Sequence, residues 1–321
     1  MLDGIIVVNK PKGCTSHDVV NKVKKILNEK VGHTGTLDPN ATGVLPLLVG
    51  KGTKLSFYLI EHDKEYVVTL QLGTKTDTAD CEGNVVEQKE VKETKLKDEN
   101  IRNVLQSFLG KSKQMPPMYS AIKVNGKKLY EYARKDETVE IKSREIEIYE
   151  IELLNILKEE KQIVFRVKCS KGTYIRSLCE NIAQKLNTVG YMKELQRTIV
   201  GKFHIEDSIT VEELEQNKDN IEFMQKHFIT IEKFFESSLE ESKIIQKQEN
   251  ENTNLKQKDK IHLKDIVLNE KRLKLFLNGV QLTYRLPDGL YRIYNEDKKF
   301  VGIGMVKNNL LKREIIVENE K

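Results

Sequence analysis

Four things are missing from this 321-residue sequence, and each absence removes a class of protein. Its four cysteines, Cys14, Cys81, Cys169 and Cys179, lie far apart without a C-x-x-C pair. Zinc ribbons, iron–sulfur sites and disulfide scaffolds need paired thiols, so reduced, partly buried cysteines are expected. No run of 18 apolar residues occurs, which leaves no segment for a membrane-spanning helix. The opening MLDGIIVVNKPKG lacks the basic start, apolar stretch and small-residue cleavage site of a signal peptide, so the expected compartment is the cytoplasm. A phosphate-binding P-loop is missing too. Gly50-Lys51 is followed by Gly52 where Ser or Thr is required, and Leu45 stands where the first glycine belongs.

What is present is an ordinary globular composition, 38% hydrophobic and 32% charged, in a chain long enough for one large or two domains. The net charge of +5 is unevenly placed. Residues 1–60 hold eight Lys/Arg against four Asp/Glu, residues 264–321 hold twelve against eight, and the middle is slightly acidic. Basic ends suit a polyanion gripped at two places, although scattered solvated lysines give the same numbers.

One break is visible. Ser238 to Lys260 alternates charged and amide residues, and from Gln246 onward Leu255 is its only apolar residue. Such a stretch reads as a flexible linker or surface insertion, with an exposed helix as the alternative. It divides the chain into 1–236, a polar 237–262, and 263–321. Deleting 246–260 is expected to leave the melting temperature within about two degrees, checked by a thermal melt.

Before the break, strands and helices mix. Ile5 to Val8, Tyr66 to Leu72, Ile141 to Ile156 and Gln162 to Cys169 read as strands, and Asn125-Gly126 as a hairpin turn. Helical spacing appears behind Ser16 as a cap, over Ile101 to Leu109 up to Gly110, and from Ile175 to Leu186. The lack of βαβ alternation favours an α+β fold with a mixed or antiparallel sheet over a doubly wound one. After the break, Tyr291 to Tyr294, Phe300 to Val306 and Glu314 to Val317 form a small all-β unit.

Val31 to Thr53 is the most unusual segment, with glycines at 32, 35, 43, 50 and 52 and prolines at 39 and 46. A tightly turned backbone of this kind holds side chains where no helix or strand would. It offers one carboxylate, Asp38, one imidazole, His33, and the hydroxyls of Thr34, Thr36 and Thr42. Asp38 reads equally as a turn former, with Pro39 at a helix N1 position.

Five segments carry a resemblance: Asn9-Lys-Pro-Lys-Gly-Cys-Thr-Ser, Gly32 to Pro46, Lys64-Glu-Tyr, Pro117 to Tyr130, and Cys169-Ser-Lys-Gly-Thr-Tyr-Ile-Arg-Ser-Leu. In order and spacing they resemble the bacterial TruB-type tRNA pseudouridine synthases, which isomerise the T-loop uridine at position 55 of tRNA. The resemblance runs from residue 4 to about 205 and weakens beyond, where the β runs are similar to the PUA-like domain that ends many members. It implies a pseudouridine synthase fold with a mixed, largely antiparallel central sheet flanked by helices. It also implies no cofactor and no metal, a tRNA T-arm as partner, no membrane or protein partner, and a monomer.

Residue by residue, the resemblance makes Asp38 the catalytic carboxylate and Arg176 the arginine that pairs with it. Tyr66 is implied to stack on the flipped base and to serve in proton transfer at C5. A guanidinium nearby would lower the pKa of Asp38 and offset its burial, and a phenol needs a perturbing neighbour before it can act as a base. His33, Lys64, Lys123, Tyr174, Leu195 and Arg197 are the implied RNA-binding residues. Leu195-Gln196-Arg197 departs from the family, many members of which carry a second arginine at the middle position. The rival reading is a tRNA chaperone that refolds the T-arm without chemistry, and Asp38 separates the two. A protein that only binds has no use for a carboxylate facing phosphates.

Overall fold

The computed structural model describes residues 2–317 apart from 61, 121, 136, 138 and 237–263. The polar 237–262 stretch therefore lies outside the described residues. A ten-stranded sheet dominates the first part. Its strands are β1 (Gly4–Lys10), β2 (Val31–His33), β3 (Thr42–Val49), β4 (Lys64–Leu72), β5 (Gly110–Gln114), β6 (Arg144–Leu157), β7 (Gln162–Cys169), β8 (Gly190–Val200), β9 (Phe203–His204) and β10 (Phe228–Thr230). The spatial order is β10-β1-β3-β8-β4-β7-β6-β5, with β2 beside β3 and β9 beside β8. Only β3 and β8 pair in parallel; every other pair is antiparallel, as the expected fold class requires.

Alternation explains the central strands. In β4, Tyr66, Val68, Leu70 and Leu72 are buried on one face, where the helices α2 (Asp98–Gln106) and α3 (Ile175–Lys185) cover them with Ile101, Leu105, Leu178 and Ile182. A second layer, built on helix α1 (Ser16–Leu27), buries Val19, Val20 and Val23 against β1 and β3.

Some local readings need correction. The cap of α1 is Thr15 and not Ser16, because a capping box needs its acid three residues after the cap. Thr15 Oγ1 accepts from Asp18 N at 3.1 Å, and Asp18 Oδ2 accepts from Thr15 N at 2.9 Å. Helix α2 ends at Gln106, so Leu109 is left exposed before Gly110 turns into β5 with φ +86. Asn125 and Gly126 do form a two-residue hairpin turn, both at positive φ.

After residue 263 a five-stranded sheet follows: β11 (Lys264–Leu268), β12 (Leu282–Thr283), β13 (Gly289–Asn295), β14 (Phe300–Lys307) and β15 (Leu310–Ile316), in the order β11-β13-β14-β15-β12. A helix, Glu270–Leu277, packs on it through Phe276. The sequence pattern showed the three longer strands but missed β11, β12 and this helix. This unit is not a free appendage. Leu290, Ile303 and Ile315 belong to one buried cluster with Ile5, Val7, Val44, Leu48, Leu55, Phe234 and Phe235 of the first part. Tyr294 donates to Glu232 at 2.7 Å, Arg292 to Glu236 at 2.8 Å, and Lys51 to the Val317 carbonyl at 2.7 Å.

Candidate active site

The glycine-rich loop leaves β2 at His33 and re-enters the sheet at Thr42. Asp38 opens a turn closed by Ala41 N donating to Asp38 O at 3.0 Å, so Pro39 is the second residue of a turn and not the first of a helix. Two buried side chains fix it. The Ser16 hydroxyl accepts from Leu37 N at 2.9 Å and donates to Leu37 O at 3.1 Å. The Lys10 ammonium, wholly buried, donates to the carbonyls of Pro11, Cys14 and Pro39 at 2.9, 2.6 and 3.0 Å. Burial lowers the Lys10 pKa, and Asp38 is among the groups that oppose the fall. The Asn9-Lys-Pro segment thus serves as a clamp under the Asp38 turn.

Asp38 meets Arg176 from the first turn of α3. Arg176 Nε lies 3.1 Å from Asp38 Oδ2, and the arginine side chain is 8% exposed. The rest of the guanidinium is consumed by protein: Nη2 donates to Tyr119 O at 2.8 Å, and Nη1 to Thr78 O at 3.3 Å and Asp80 Oδ2 at 3.5 Å. Asp80 is itself held by Thr78 Oγ1 at 2.6 Å and Glu82 N at 3.1 Å. Asp38 differs, with a side chain 36% exposed at the pocket. Its pKa is raised above the ordinary carboxylate value, first by burial among protein atoms and then by Asp80, with Arg176 and Lys10 opposing. The expectation of a lowered pKa is corrected here: Arg176 must serve two carboxylates, and its attraction does not overcome burial.

The sign of a pH effect follows. A reaction that needs ionised Asp38 loses rate as pH falls through a pKa above the ordinary aspartate value of 3.8. We expect the acidic limb of the kcat/KM profile to lie above that value, and Arg176→Met to move it to still higher pH.

Tyr66 is buried on β4, and its cross-strand partner on β8 is Arg197. Burial pushes the phenol up to about 12, against the opposing positive charge of Arg197. The neighbour that perturbs Tyr66 is therefore Arg197 before the Asp38 and Arg176 pair, and the shift keeps the phenol protonated. Arg197 is only 1% exposed. It cannot meet a phosphate in this structure, which corrects its assignment as an RNA contact.

Tyr174 precedes α3, its backbone locked by Gln114, whose side-chain amide bonds Tyr174 N at 2.8 Å and Tyr174 O at 3.0 Å. Together Asp38, Tyr66, Tyr174, Arg176, Met192 and Leu195 line a cavity of about 120 Å³, with Thr36, Leu37, Thr173 and Ile175 completing it. The other candidates lie outside. His33 ends β2, and its pKa is lowered by burial and then by Arg197. Lys64 bonds the His62 carbonyl and lies beside Gly35. Lys123 is exposed on the hairpin that follows Tyr119. No cluster of three His, Cys, Asp or Glu side chains among the described residues could hold a metal ion. Asp80, Lys10 and Gln114 had no signal of their own in the sequence, since their partners are remote in the chain or are backbone atoms.

Comparison with known proteins fits this geometry. A profile described as TruB family pseudouridylate synthase (N terminal domain) matches residues 24–175, and two TruB C-terminal profiles match 176–236 and 265–314. A curated tRNA pseudouridine synthase B of Clostridium kluyveri is 43% identical over 96% of this chain and 96% of its own length. The chain belongs to the TruB family of pseudouridine synthases. The corresponding protein of Caldanaerobacter subterraneus is 40% identical over 97% of the chain and 98% of its own length. Among solved structures, a Cbf5-Nop10-Gar1 complex contains a chain with TM-score 0.62 and 28% identity, over 99% of this chain and 84% of that one. An H/ACA RNP bound to a substrate RNA gives TM-score 0.63 at 26% identity over 98% and 85%. The TruB fold expected from the five segments is thereby shown over both sheets.

Proposed function

We propose that this chain isomerises the T-loop uridine of tRNA to pseudouridine, with Asp38 as the reacting carboxylate. The observation that carries this is the Asp38 side chain, held by buried Arg176 at 3.1 Å and open to a cavity lined by Tyr66 and Leu195. In the reaction the N1–C1′ bond breaks, a C5–C1′ bond forms, C5 loses a proton and N1 gains one. Attack on the base, attack on the sugar and removal of a sugar proton all require the ionised carboxylate. Tyr66 then stacks on the base and handles the C5 proton.

A base inside a folded loop must first be extruded, at a cost of a few kcal/mol. Stacking on Tyr66, about 1–3 kcal/mol, offsets much of it. Lys123, His33 and Lys64 serve as the local RNA contacts, and the PUA-like unit as a second grip. The enzyme works as a cytoplasmic monomer without cofactor or metal, its units being 1–236 and 263–321. The chaperone alternative leaves the Asp38–Arg176 pair without a purpose.

An unmodified tRNA transcript and a T-arm hairpin, each incubated with the protein and mapped for pseudouridine, test the reading. Product at the T-loop uridine of both is expected. No product on tRNA would overturn the function, and an inert hairpin would overturn local extrusion.

A further inference from the structure

Arg197 is the largest fully buried side chain among the described residues, and nothing in the reaction as described so far uses its charge. Burying a guanidinium is costly unless all of its donors find acceptors. Here two backbone carbonyls accept. Nε donates to Val44 O at 2.8 Å and Nη2 to Gly35 O at 3.0 Å, and the phenol of Tyr66, the cross-strand partner of Arg197, feels its charge. Both acceptors flank the turn that carries Asp38: Gly35 precedes it by three residues, and Val44 lies just inside β3.

The backbone is shaped around this residue. Gly43 has φ +105, and a Cβ added there would stand 2.1 Å from the Arg197 carbonyl. Gly35 has φ +78, and a Cβ there would stand 3.3 Å from Arg197 Nη1. Both glycines let the arginine sit directly beneath the loop. One planar group therefore connects the Asp38 loop to Tyr66 across the strand pair β4 and β8.

A guanidinium only donates, so its charge draws the Tyr66 oxygen and not the phenol proton. That leaves the phenol's own proton and a lone pair for the cavity that Tyr66 lines with Asp38. We propose that Arg197 is a positioning residue for the isomerisation, holding the Tyr66 hydroxyl in register with the Asp38 loop so that the phenol relays the C5 proton, its oxygen accepting that proton as its own O–H proton passes to the Asp38 carboxylate. This rests on the proposed role of Tyr66 and assigns Arg197 no contact with RNA. A lysine in its place keeps the charge but loses the fork that bonds both carbonyls at once.

The test is a double-mutant cycle on the full chain with tRNA carrying uridine or 5-deuterouridine in the T-loop. Tyr66→Phe should be slowed about 100-fold or more in kcat. Arg197→Lys should lose about 10- to 100-fold in kcat with KM within about threefold, and should show a C5 deuterium isotope effect larger than that of the unaltered enzyme. The double variant should be no slower than Tyr66→Phe alone.

Losses that multiply in the double variant, a rate loss without the isotope effect, or a change confined to KM would each overturn the proposal. A normal rate for Tyr66→Phe would overturn the role of Tyr66 itself, a separate failure. If Arg197→Lys does not fold, the ¹⁵N spectrum of arginine side chains decides between the unaltered protein and Tyr66→Phe. The slowly exchanging Arg197 signals should shift when the phenol oxygen is removed, and unmoved signals would overturn the proposal.

Discussion

Asp38→Asn is expected to abolish pseudouridine formation while leaving tRNA affinity within about tenfold. The side chain keeps its size, and its remaining oxygen can still accept from Arg176, so the geometry of the pocket is preserved. An amide is neither a nucleophile nor a base at neutral pH, and a loss on the order of 10⁴-fold or more in kcat follows. The turn does not depend on the carboxylate, because Ser16 and Lys10 fix its backbone through Leu37 and Pro39. Affinity should hold or rise slightly, since a negative charge facing a polyanion has been removed. Release of tritium from C5-labelled uridine in a tRNA transcript measures the chemistry, and filter binding the affinity. Measurable turnover by Asp38→Asn would remove the carboxylate from the reaction, and a large loss of binding would make Asp38 a structural residue.

Local chemistry was legible in the sequence wherever a residue type answers to its neighbours in the chain. Asn125-Gly126 demanded a hairpin, the alternation of β4 predicted its buried face, and the glycines and prolines around Asp38 marked an irregular loop. The resemblance carried over Asp38, Tyr66 and Arg176, and the structure brings all three to one cavity. What stayed hidden depends on long-range register. Lys10 looks like any surface lysine until β1 is laid beside β3 and its ammonium meets the Pro39 carbonyl. Arg197 was read toward RNA from the resemblance alone. Only the pairing of β8 with β4 on one side and β3 on the other reveals that it lies inside the sheet. The direction of the Asp38 shift was missed for a similar reason: it follows from burial in the folded pocket, and then from Asp80, remote in sequence, which competes for Arg176.

Cutting the chain after residue 236 is expected to cost far more than affinity for tRNA. A basic end that only gripped a polyanion would, when lost, raise KM and leave kcat nearly unchanged. The shared cluster argues otherwise. Leu290, Ile303 and Ile315 are each almost fully removed from water against Ile5 and Leu48 on strands of the sheet that carries the Asp38 loop, and against Leu55 and Phe235 on short helical segments. At about 1.5–3 kcal/mol for each buried aliphatic side chain, the tail's three contribute on the order of 5–9 kcal/mol. That is comparable with the whole stability of a typical domain. For a unit of this size 1 kcal/mol corresponds to roughly 2–4 °C, so the fragment should melt at least about 10 °C lower, or aggregate through the uncovered patch. The point variant Ile303→Ala separates packing from RNA binding, because its side chain is buried in the cluster and out of reach of a ligand. It should lower stability by about 2–5 kcal/mol, and the full chain should still unfold in one transition if the two sheets share a core. Calorimetry of both proteins provides the check. A fragment that melts like the full chain, or an Ile303→Ala protein whose tail unfolds in a separate early transition, would show that the second sheet only rests on the first.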